Sequence, residues 1–101
     1  MNHTIPEETR ELFRAILSLK NEEECAAFFE DICTIKEIQD LSQRLQVASM
    51  LNQGEKYQSI EQTTGASTAT ISRVNKCLVY GSGGYRTVLE RRFKTEEKEQ
   101  A

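Results

Sequence analysis

Tryptophan is absent, histidine and proline occur once each, and glycine appears only five times in 101 residues. So little proline leaves few places where a helix must break. The lone histidine is His3, the third residue. No Ser/His/Asp, Cys/His or paired-carboxylate arrangement stands at a motif spacing, so the chain is not expected to be an enzyme. Metal ligands are equally scarce. The three cysteines, Cys25, Cys33 and Cys77, form no CxxC pair and leave an odd one out. An extracellular disulfide framework is therefore not expected, and each cysteine reads as a small buried hydrophobe with a reduced thiol. No apolar run approaches the roughly 18 residues of a membrane span. The segment Met1 to Arg14 is polar and acidic, unlike a secretory signal or transit peptide, so a cytoplasmic address is expected.

What is present points to one small helical domain. A 38% hydrophobic content over this length supports a single, modest core, and apolar surface left over would need a partner subunit. The net charge of −3 conceals an asymmetry. Residues 1–40 carry ten acids against four bases, or −6, and residues 41–93 carry three against seven, or +4. Residues 94–101 add −1. Such a split is the mark of a polyanion-facing surface in one half, although ordinary solvated charge gives the same arithmetic.

Helical periodicity dominates. Residues Thr4 to Glu7 offer a capping threonine, an early proline and a glutamate, followed by Leu12, Phe13, Ile16 and Leu17 on one face up to about Lys20. Asn21 can cap a second helix whose apolar stripe is Cys25, Phe28, Phe29, Ile32 and Cys33. A capping box from Thr34 to Glu37 opens the longest helix. Ile35, Ile38, Leu41, Leu45, Ala48 and Leu51 run down one side, with Val47 and Met50 on another. Gly54 supplies a stop. Gly81 to Gly84 reads as a flexible connector, lacking the Gly-Lys-Ser/Thr of a phosphate loop. Tyr85, Val88, Leu89 and Phe93 form a last amphipathic helix. The domain is expected over 1–93, with 94–101 a disordered charged tail.

The most informative stretch is Tyr57 to Lys76. A short helix to about Thr64 meets Gly65, and a second helix begins at Thr68 with Ser67 as its cap. Two helices joined by a short glycine-containing turn are the signature of a helix-turn-helix, here about 57–78. Ile60, Ala66, Ile71 and Val74 suit its packed side. The opposite side carries Thr68, Ala69, Thr70, Ser72, Arg73 and Lys76. Short side chains at a helix N-terminus can approach base edges, while Arg73 and Lys76 can neutralise phosphates. Gln58 and Ser67 complete the candidate DNA-contacting set. A helical hairpin with threonines on a wet face is the plainer reading, but threonine and serine are weak helix formers.

The runs CTIKEIQDLSQRLQVASML (Cys33 to Leu51) and GASTATISRVNKCL (Gly65 to Leu78) resemble the Trp repressor superfamily, and within it the YerC/YecD branch. The resemblance spans about residues 10–93. It implies an all-α, six-helix fold and an intertwined homodimer presenting two helix-turn-helix heads to a palindromic DNA operator. The family's tryptophan pocket is framed by two arginines, whose aligned positions are Arg44 and Arg73, and by a threonine matched by Thr34. Val74 stands where the repressor has a glycine against the indole, Asp31 replaces an apolar residue, and Cys77 replaces a serine. The departures argue against L-tryptophan as corepressor; a different small carboxylate, or no ligand, fits the retained arginines. A plainer role for Arg44 is an ion pair with Asp40. The function expected is that of a DNA-binding transcriptional regulator, a repressor by resemblance. The alternative is a protein-interaction module on the same scaffold, favoured by the acidic N-terminal half.

Overall fold

The computed structural model describes residues 4–100, with side chains as far as residue 93. Six helices follow in order: α1 (Glu7–Leu17), α2 (Glu22–Ile32), α3 (Ile35–Asn52), α4 (Tyr57–Thr64), α5 (Thr68–Tyr80) and α6 (Gly84–Gln100). Contacts divide the chain into two compact units, residues 1–39 and 40–101, with α3 running across the division. None of these helices is long and apolar enough to cross a membrane.

In the first unit, α1 starts later than the expected threonine cap. Pro6 holds the N-cap position, its carbonyl accepting from the Thr9 and Arg10 amides. A proline pushes the residue before it into extended backbone, so Thr4 is left outside the first turn. Arg14 donates to Glu7 at 2.9 Å and Glu11 at 3.1 Å; these two carboxylates raise its pKa above the ordinary arginine value. The start of α2 is as expected. Asn21 Oδ1 accepts from the Glu24 amide at 2.8 Å, and Glu24 returns the favour to the Lys20 amide at 2.9 Å. At the start of α3, Thr34 and Glu37 make the reciprocal capping box, at 3.1 and 2.8 Å. Phe28 and Phe29 meet edge to face. Neither α1 nor α2 buries a residue, which corrects the expectation for the cysteines: Cys25 is exposed and Cys33 only half-buried, since the two helices of this unit are too short and too few to close a core of their own.

The second unit holds the core. Val47 and Ala48 of α3, Ile60 of α4, Ala66 of the turn, Ile71, Val74 and Leu78 of α5, and Leu89 of α6 are buried together. Met50, Leu51, Tyr57, Tyr85 and Phe93 pack around them. Burying each of Ile60, Ile71, Val47 and Val74 stabilises the unit by roughly 1.5–3 kcal/mol. On α3 the buried side is thus that of Val47 and Ala48, while Leu41 and Leu45 of the expected stripe stay exposed. α3 ends in a Schellman motif: the Glu55 amide donates to the Met50 carbonyl and Gly54 to Leu51, with Gly54 at φ 85° as expected.

The connector after α5 is shorter than expected, since α6 already begins at Gly84. Gly81 has an ordinary φ of −80°, so conformation does not demand glycine there. Proximity does, because a Cβ at this position would collide with the Cys77 carbonyl oxygen, which accepts the Gly81 amide at 2.8 Å. The expected tail, 94–101, coincides with the last turns of α6, whose side chains lie outside the described residues, as does residue 101 entirely.

Candidate nucleic-acid interface

α4, the turn at 65–67 and α5 form the helix-turn-helix at the positions read from the sequence. Gly65 ends α4 in the left-handed region, φ 75° and ψ 3°, with its amide on the Glu61 carbonyl at 2.9 Å. That single residue redirects the chain so that Ala66 enters the core and Ser67 caps α5. Thr64 reinforces the bend: its Oγ1 donates to the Ile60 carbonyl at 2.7 Å and accepts from the Ala66 amide at 3.1 Å. From α3, Gln43 Nε2 donates to the Thr64 carbonyl at 3.1 Å, tying the turn to the rest of the unit.

With Ile71, Val74 and Leu78 turned inward, the remaining sides of α5 face solvent. Thr68, Ala69, Ser72, Arg73 and Lys76 are exposed there, and Thr70 is half-buried. Gln58 is exposed near the start of α4. Ser67 Oγ accepts from the Thr70 amide and donates to Thr70 Oγ1, each at 3.1 Å, so its hydroxyl is engaged in holding the helix start. Thr68 Oγ1 donates to Glu61 Oε1 at 2.8 Å. Glu61 is therefore part of this surface, although the sequence reading counted it only as a charge. Its one sequence signal is its spacing, seven residues before Thr68 across a turn that brings α4 and α5 side by side.

The residues of the candidate ligand pocket are distributed differently. Arg44, Arg73 and Cys77 are exposed in the second unit. The exposure of Cys77 again departs from the buried thiol expected; it lies to the side of the α5 stripe formed by Ile71, Val74 and Leu78. Val74 is 2% exposed and belongs to the core. Thr34 lies in the first unit and serves the capping box of α3. Among the described residues, no group of three or more His, Cys, Asp or Glu could hold a metal ion.

An all-α chain whose helix-turn-helix shows a polar and cationic face is of the class that docks a helix into a DNA groove. The sequence profile of the family described as Trp repressor protein matches residues 7–93. YerC, an uncharacterized protein of Bacillus subtilis (strain 168), is 58% identical over 89 residues, covering 88% of this chain and 86% of its own. Two crystal structures are similar with a TM-score of 0.83 and 56% identity. One is of a candidate Trp repressor from Staphylococcus aureus, covering 86% of this chain and 87% of that one. The other is of a TrpR like protein from Eubacterium eligens ATCC 27750, covering 85% and 89%. The chain belongs to the Trp repressor family, with its all-α six-helix fold. Members of that family are non-catalytic transcription factors, and membership implies a DNA-binding regulatory role.

Proposed function

We propose that the protein is a homodimeric, sequence-specific DNA-binding repressor that inserts α5 into the major groove of a palindromic operator. The observation that carries this reading is the solvent face of α5. Short side chains at its N-terminal end, Thr68, Ala69, Thr70 and Ser72, can reach base edges, and Arg73 and Lys76 flank them to meet phosphates. Support for the dimer comes from apolar surface. In the first unit Leu12, Phe13, Leu17, Ile32 and Ile35 are exposed, Leu17 at 83% and Ile35 at 76%. In the second, Leu41 and Leu45 are exposed as well. A chain this small gains too little from the eight buried among its described residues to leave such faces wet, and a two-fold partner copy would cover them. The reading places the protein in the cytoplasm.

L-tryptophan has no role in this proposal. The branched side chain of Val74 is packed in the core, and Cys77 offers only a weak hydrogen-bonding group. Arg44 and Arg73 leave room for a different small carboxylate, or for none. Titration calorimetry tests this part: saturable L-tryptophan binding that also tightens DNA binding overturns it.

Salt dependence tests the whole. Binding to a duplex should weaken steeply, with a log–log slope near −0.9 per phosphate contacted. Light scattering over a dilution series should give twice the chain mass. A flat salt response, or a stable folded monomer at micromolar concentration, refutes the proposal; the flat response is what a protein-interaction module would give.

A further inference from the structure

The Thr68–Glu61 hydrogen bond fixes the direction in which this head reads a base. A threonine hydroxyl has one proton to give and two lone pairs, and an ionised carboxylate only accepts. At 2.8 Å the Thr68 proton is committed to Glu61 Oε1. Both side chains are exposed, Thr68 as the first residue of α5 and Glu61 across from it on α4. Nothing that this pair shows to a partner is a donor: what remains are oxygen lone pairs, backed by a negative charge.

The major groove offers only two strong donors to such a pair, the exocyclic amino groups of adenine and cytosine. Guanine shows N7 and O6 and thymine shows O4, all acceptors that repel another acceptor. Adenine places its N7 acceptor beside its amino group, so one oxygen of the pair would face a lone pair. Cytosine presents its amino group without an adjacent ring acceptor in the groove. The charge adds a second discrimination. A carboxylate held against a polyanion costs binding at every site where no donor meets it, so Glu61 lowers affinity for random sequence while permitting the matched one.

We infer that Glu61 is a specificity-determining residue that, with Thr68, selects cytosine at one position of each half-site. The inference rests on the DNA-binding reading above, since it assigns a base preference to that same face. It also predicts the change made by the amide. In Glu61→Gln the side chain can donate and accept at once, the pattern that pairs with adenine N6 and N7.

The test is selection from a random duplex library with the full-length wild type, Glu61→Gln and Glu61→Ala, after circular dichroism has shown that all three fold. Glu61 is exposed, so folding should survive both changes. The expected wild-type result is a two-fold symmetric sequence with cytosine at one position per half-site. Glu61→Gln should enrich adenine at that position, with the preference for cytosine falling roughly tenfold. Glu61→Ala should accept all four bases there more evenly and bind an unselected duplex more tightly. If the variants select the same bases as wild type, Glu61 does not determine specificity and the inference is overturned while the DNA-binding reading stands. If the wild type enriches no sequence at all, both fall.

Discussion

Replacing Gly65 with alanine separates conformational strain from crowding at the bend of the helix-turn-helix. At φ 75° and ψ 3° the backbone lies where an L side chain costs roughly 1–2 kcal/mol. An added Cβ meets no atom within 4 Å, so no collision adds to this. Alanine also stiffens the unfolded chain, which returns roughly 0.4–1 kcal/mol. The net expectation is a loss of about 1 kcal/mol. Gly65→Asn should lose less, because asparagine tolerates the left-handed region better than alanine does. Gly81→Ala is the contrasting case. Its φ is ordinary, but its Cβ would strike a backbone carbonyl that already holds the Gly81 amide, so the end of α5 must open. Overpacking of that kind costs roughly 1–3 kcal/mol, and Gly81→Ala should be the more damaging variant. Urea unfolding followed by far-ultraviolet circular dichroism measures all three. Protein concentration must be held fixed, since the stability of the proposed dimer would scale with it. A Gly65→Ala protein as stable as wild type, or one more stable than Gly65→Asn, would refute the left-handed assignment. A milder Gly81→Ala would refute the crowding argument.

Ile71→Ala empties a fully buried position and should cost roughly 2–5 kcal/mol in the same unfolding assay. Ser67→Ala removes the cap of α5 and the partner of Thr70 Oγ1, for a loss of about 1 kcal/mol, and Ser67→Asp should recover most of it. Lys76→Ala should weaken binding to all duplex sequences about equally and reduce the magnitude of the salt slope by about 1, without changing the selected sequence. Deleting residues 94–101, a charged segment with no apolar periodicity, should leave the unfolding free energy unchanged within about 0.5 kcal/mol.

The parts of the fold legible in the sequence are those where one residue type has one local job. Gly65 and Ser67 bracket the turn, so α4 ends and α5 begins where these two residues dictate. Asn21 and the Thr34–Glu37 pair likewise mark helix starts through bonds confined to a single turn. At the start of α1 two signals compete, and the geometry of proline prevails over the hydroxyl of Thr4. Periodicity finds the apolar residues of α3 but not which of them this chain covers. Leu41 and Val47 are equally hydrophobic in pattern, yet only Val47 packs against the helix-turn-helix. The same limit misjudged Cys25, which is exposed although Phe28 and Phe29 on the same stripe of α2 are half-buried. On the candidate interface, the face of α5 follows from its own periodicity, whereas Glu61 acquires its place only when α4 and α5 pack together. A hydrogen bond spanning seven residues and a change of direction leaves no local pattern to read.

The central claim, a two-fold pair of heads each reading DNA with α5, is tested most directly by hydroxyl-radical footprinting on a duplex selected by the wild-type protein. The account predicts two protected half-sites of equal length on one face of the duplex. Their centres should lie about 34–36 Å apart, one helical turn, related by the symmetry of the sequence. A single protected patch without a symmetry mate, or uniform cleavage at protein concentrations that saturate the duplex, would contradict it.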